Sequence, residues 1–185
     1  NSKIKDVDSP VYNANPSSDN ILNDFEKEEM FVLYKPMLTH LGENEKETKT
    51  RKLPQSVYTF LENASEGLSI VEMAIKNNLP INILANTFIN CLEKELITVA
   101  RYEKILHMAS FLAGKIIAIE FLCRIGKISR MTVNEVLDYQ IRIQKKTGEK
   151  IDSINILVAK KYVSKEYMKS VLKYLMDGKR KVKDI

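Results

Sequence analysis

At 185 residues, 44% hydrophobic and 29% charged, with no Trp, the chain has apolar material for one or two helix-rich domains. Its longest apolar stretch, ILHMASFLAGKIIAIEFLC at 105–123, is interrupted by Lys115 and Glu120. A membrane span needs roughly 18 or more unbroken apolar residues, so this stretch reads as a buried helix.

The net charge of +5 is unevenly placed: residues 126–185 carry 15 basic and 7 acidic side chains, net +8. A basic face there suits phosphates, an acidic protein or an anionic surface, and a merely solvated lysine surface is the alternative. Cys91 and Cys123 both lie in apolar helical contexts and read as reduced core residues. No secretory signal pattern is read, and a cytoplasmic location is expected.

Residues 1–22 begin polar, turn-rich and without periodicity, and are expected to form a disordered tail. Asn23 with Glu26 predicts a capped helix running to Pro36. GENEKETKTRK, residues 42–52, has no apolar residue and reads as an exposed linker, the candidate boundary.

Three helices follow. Val57, Phe60 and Leu61 line the first, Ser69 with Glu72 caps the second, and the third begins by Pro80. Ile83, Leu84, Thr87, Phe88, Cys91 and Leu92 form the apolar stripe of the third helix. LITVARY at 96–102 predicts a short strand. One long helix is expected around 104–123.

The segment EGLSIVEMAIKNNLPINILANTFINCLEKELI resembles the winged-helix-like bundles that bacterial proteins use for DNA binding and for protein contacts. A recognition helix should present cations or amides to DNA. The third helix offers Asn82, Asn86 and Asn90 but adds Glu93 and Glu95, so a protein contact is favoured over nucleic acid.

LCRIGKISRMTVNEVLDYQ at 122–140 and LVAKKYVSKEYMKSVLKYL at 157–175 repeat one phrase. Ser129 and Ser164 are its helix caps. Gly126 and Lys161 mark the preceding turn. Val133, Val136 and Leu137 make one inner face, and Met168, Val171 and Leu172 the other. Gly178 is expected to close the last helix.

Residues 117–175 resemble the MshEN-like N-terminal regulatory domain of type II secretion and type IV pilus assembly ATPases. Leu122, Gly126, Ile128, Val133, Leu137 and Gln140 match the first copy of that pattern, and Leu157, Val163, Met168 and Leu172 the second. In some members the doubled motif binds cyclic di-GMP, which implies a ligand set of Leu122, Gly126, Leu137, Gln140 and Lys150 here. The chain departs from the pattern with Ile117-Ala118-Ile119 in place of Arg-Leu-Gly and Leu175 in place of Gln.

No catalytic signature is found. His40 and His107 lack metal-ligand spacing, the six glycines form no phosphate loop, and no nucleophile elbow is present. The expected protein is therefore all-α, not an enzyme, and without cofactor or metal. A winged-helix-like bundle at 53–103 would be followed by a long helix and tandem helical hairpins at 104–176, then a basic tail at 177–185.

The expected role is a bacterial regulatory or adaptor module that binds a protein, with a secretion, pilus or motility component as the suggested partner. Its candidate basic face is Lys145, Lys146, Lys160, Lys161, Lys165 and Lys169. A cyclic di-GMP receptor and a winged-helix DNA-binding regulator are the alternatives.

Overall fold

A computed structural model describes residues 19–184, and among these every regular element is helical. The α-helices are α1 His40–Thr48, α2 Gln55–Ser65, α3 Ile70–Asn77, α4 Ile81–Glu93, α5 Glu103–Leu112, α6 Ala118–Arg124, α7 Arg130–Thr147, α8 Ser153–Ala159 and α9 Lys165–Asp177. The chain is all-α, as expected. The expected loose tail lies outside the described residues as far as residue 18. Ile21, within its last part, is fully buried.

Local chemistry sets many of the helix ends. Ser69 accepts from the Glu72 N–H while Glu72 accepts from Ser69 N–H, the predicted reciprocal cap of α3. Ser129 and Ser164 cap α7 and α9 by accepting from Thr132 N and Tyr167 N. Gly126 and Lys161 are both left-handed, at φ 80° and 60°. After each, the next residue's N–H returns to a carbonyl in the last turn, Lys127 N to Leu122 O and Tyr162 N to Leu157 O. The same closure ends α2, α3, α4 and α5, with Leu68, Leu79, Leu96 and Lys115 as donors. One turn device therefore serves most of the helical connections.

Five local expectations are corrected. The predicted helix after Asn23 is a strap of three 3-10 turns, Ile21–Asp24, Lys27–Glu29 and Phe31–Leu33. An α-helix would use the Asp24 carbonyl internally, but Lys104 Nζ donates to it at 3.0 Å and to Glu29 Oε2 at 2.9 Å. Ile21, Phe25 and Phe31 reach the core from this irregular path. Residues 96–102 form no strand; Ile97 makes an isolated bridge to Leu38.

The expected 42–52 linker contains most of α1. Its Glu45 is 1% exposed, and its carboxylate accepts from Thr50 Oγ1 at 2.8 Å, Arg51 N at 2.8 Å and the Tyr58 hydroxyl at 2.9 Å. Burial pushes the Glu45 carboxyl up, but these donors outweigh it and hold it below the ordinary carboxylate value. A fully bonded carboxylate thus holds α1 against α2 with few apolar contacts.

The expected 104–123 helix is two helices, α5 and α6, broken at left-handed Gly114. The break folds α6 back so that Phe111 and Phe121 stack at 4.3 Å between centroids. Leu137 and Leu172, expected inside, are 37% and 40% exposed. Val133 and Val136 already fill the α7 inner face, and Tyr167, Met168 and Val171 that of α9.

One apolar core runs from Ile21 through Val171, with no break at residues 52 or 103. The C-terminal residues expected as a basic tail are docked as far as they are described. Gly178 O accepts from Asn82 N at 2.8 Å, and Lys181 bridges Pro80. Gly178 ends α9 in right-handed conformation, and a Cβ there would lie 2.8 Å from Leu112 Cδ2.

Two substitutions test this packing. An alanine Cβ at position 42 would sit 1.9 Å from the Leu96 carbonyl oxygen. Gly42→Ala, which in an open helix gains up to about 1 kcal/mol, should instead cost about 2 kcal/mol and lower Tm by roughly 4–8 °C. Lys161→Gly relieves a left-handed side chain and should raise unfolding free energy by about 1 kcal/mol in urea titration.

Candidate functional site

The basic surface is built on α7, α8 and α9. Glu120 on α6 fixes the root of α7. Arg130 donates to both its carboxylate oxygens, at 2.7 and 3.0 Å, and Arg124 Nε donates at 2.9 Å. The Arg130 hydrogen bonds, followed by those of Arg124, hold the Glu120 carboxyl at about 2. From that anchor α7 extends over 18 residues, about 27 Å, and buries only Val133 and Val136.

Three side-chain contacts settle α8 and the following turn against the middle of α7. Gln140 Nε2 donates to the Ile151 carbonyl. The Tyr162 hydroxyl donates to Glu135 Oε2 at 2.6 Å, and Lys160 Nζ lies 4.6 Å from the Tyr139 ring centre.

The strap orients α9 from the other side. Buried Tyr167 donates its hydroxyl to Asp24 Oδ2. Lys127 Nζ stands 3.5 Å from that oxygen and 4.1 Å from the Tyr167 ring centre. Burial, reinforced by the Asp24 acceptor, pushes the Tyr167 hydroxyl far up, so it stays protonated and donating. Ser170 Oγ accepts from Ile21 N at 2.8 Å, and Ser164 Oγ donates to Asp19 Oδ1 at 3.0 Å.

The residues expected around a nucleotide are dispersed. Leu122 is in the core, Gly126 occupies a turn, and Leu137 faces outward. Gln140 uses its amide to hold the α7–α8 connection, and Lys150 is exposed within that connection. Their side chains do not converge.

The six expected lysines are all exposed. Lys145 and Lys146 lie in the last turn of α7, Lys160 and Lys161 at the α8–α9 turn, and Lys165 and Lys169 on the first turns of α9. Among the described residues none of the six has a carboxylate within ion-pair distance. Leu172, Lys173 and Met176 continue the exposed α9 face and were missed by sequence reasoning. Their spacing carries the signal, but Leu172 is expected on the inner face, and no expectation attaches to Met176 or Lys173.

Other polar features give no catalytic constellation. His107 keeps a buried Nδ1 without a hydrogen-bond partner, and burial, with Arg124 nearby, lowers its pKa. Burial pushes the Cys91 thiol up to about 12, leaving an unreactive core group. No cluster of three metal-ligating side chains occurs among the described residues. An open groove of about 480 Å³ is lined by Ile89, Leu92, Leu106 and Ile116, with Lys115 and Arg124 among its polar residues.

The first turn of α4, which a DNA reader would place in the groove, is covered by Gly178 and Lys181. Among the described residues no helix is long and apolar enough to cross a membrane. The chain matches no family model, no curated protein and no solved structure.

Glu120 generates a pH prediction. Its folded value, about 2, lies below the ordinary 4.5, so its stabilisation is complete above that value and fades as pH falls toward 2. Urea titrations should show the native chain more stable than Glu120→Gln at about pH 6, with the gap closing by about pH 2.

Proposed function

We propose that this chain is a non-catalytic bacterial regulatory or adaptor module that acts through protein–protein contact in the cytoplasm. The observation carrying this reading is the set of six exposed lysines without carboxylate partners, set along α7, the α8–α9 turn and α9. Charges left outside internal ion pairs on a rigid face raise the local potential and steer an acidic partner. The MshEN-like resemblance of residues 117–175 suggests a secretion, pilus or motility component as that partner.

Two other readings have less support. Against cyclic di-GMP, Leu122 is inside the core and the Gln140 amide is already engaged with Ile151. Arg would stack on a purine, whereas Lys150 supplies only a point charge. Against DNA, the start of α4 is engaged by Gly178 and Lys181, and the helix carries Asn82, Asn86, Asn90 and Glu93 but no Lys or Arg.

The experiment is capture from native cells with the full chain, wild type against Lys160→Glu/Lys161→Glu. The variant should lose a specifically captured protein at least about tenfold, and raised salt should weaken the wild-type capture. Capture insensitive to both charge reversal and salt would end the reading. Heat on titrating cyclic di-GMP at tens of micromolar would transfer support to the receptor reading.

A further inference from the structure

The α9 helix has a second organised face. Lys165, Lys169, Leu172 and Met176 are spaced i, i+4, i+7 and i+11, the 3.5-residue repeat of a helix–helix seam. All four are exposed, Leu172 at 40% and Met176 at 52%. The opposite side, through Tyr167, Met168 and Val171, is buried in the chain's own core. An ordinary surface helix has one apolar stripe facing inward. This one has a second stripe facing out, half cationic and half apolar.

We propose that this outward seam of α9 is the docking strip for an acidic amphipathic helix of a partner protein. The inference rests on the adaptor reading above and specifies its partner. Leu172 and Met176, one turn apart, provide the apolar rung on which a partner helix packs. Lys169 and Lys165, one and two turns nearer the α9 start than Leu172, meet partner carboxylates, whereas Lys173 beside the seam is already paired with Asp177 at 2.6 Å. Glu166, also exposed, lies at the far edge of this face. A nucleic acid would match the lysines but gain little from a leucine–methionine rung. A second copy of α9 would set lysine against lysine in parallel, or lysine against leucine and methionine in antiparallel, and supplies no carboxylate to the seam in either case. An acidic helix with its own apolar pair satisfies both halves.

The strip is held in place before any partner arrives. Tyr167 and Ser170 tie the inner side of α9 to the strap, and Ser164 caps its start. Docking then orders few protein side chains beyond the lysines themselves, which limits the entropic cost of association.

The test places benzoylphenylalanine at position 172 of the full chain, in native cells, and identifies the photo-adduct by mass spectrometry. Position 141 on α7, whose isoleucine is also exposed, is probed in parallel. Expected is an adduct from 172 to a protein segment rich in Asp and Glu with apolar residues three and four apart. Leu172→Gln/Met176→Gln should weaken capture of that protein at least about tenfold without lowering Tm. Adducts from 172 to lipid, to nucleic acid or to a second copy of this chain would overturn the proposal, as would no adduct. If Lys160→Glu/Lys161→Glu abolishes capture and only position 141 gives an adduct, the docking strip is wrong and the adaptor reading stands. If neither charge reversal nor the glutamine pair alters capture, both fail.

Discussion

The hydrogen bond from Tyr167 to Asp24 joins two parts of the chain that are 143 residues apart. Tyr167 is a large, fully buried side chain with a hydroxyl that needs an acceptor, and no carboxylate of α9 is placed to provide one. Asp24 does so from the strap, with Lys127 close enough to balance its charge. The partly exposed Asp24 carboxylate relieves the buried hydroxyl of a desolvation cost of about 1–3 kcal/mol that it would carry without an acceptor. The hydrogen bonds within the strap are local to its 3-10 turns, and this contact is one that ties its first turn to α9. α9 in turn receives a fixed rotation, with Tyr167 and Val171 inside and its lysines outside.

Acidic side chains are used differently from basic ones. Glu45 is enclosed by Thr50, Arg51 and Tyr58, Glu120 is clasped by two arginines, Glu135 receives Tyr162, and Glu29 receives Lys104. Each of these carboxylates joins separate segments. Of the lysines of α9 and of the α8–α9 turn, Lys160 lies over the Tyr139 ring and Lys173 pairs with Asp177 inside its own helix, while Lys161, Lys165 and Lys169 remain at the surface without a carboxylate partner. A modest net charge therefore becomes a directional one around α7–α9, where six exposed lysines have no carboxylate within ion-pair distance.

Much of the helical layout was legible in the sequence. The Ser69–Glu72 cap, the serines at 129 and 164, and the turns at Gly126 and Lys161 are local signals, and the structure has each where its residues indicate. What was illegible depends on distant partners. Residues 42–48 contain no apolar pattern, because α1 is held by a buried carboxylate and by the fit of Gly42 under the Leu96 carbonyl. The strap avoids an α-helix because Lys104, 80 residues on, takes the Asp24 carbonyl. The break at Gly114 was hidden by apolar residues continuing across it, which preserve the apparent period. The expected nucleotide set failed on side-chain direction: spacing aligned Leu122 and Gln140 with a pattern, but packing turned one inward and gave the other a backbone partner.

The two ends of the described chain each close on distant elements: the strap on α9, and Gly178 with Lys181 on the start of α4. During synthesis the strap emerges before its partners; Lys104 and Phe88 can seat its later turns, but its first turn lacks its α9 partners until residues 164–171 have left the ribosome. The α2–α4 helices, with mostly local contacts, can form before then, whereas the first turn of the strap waits for α9. Folding should therefore finish in a late, nonlocal closure that completes both ends of the described chain.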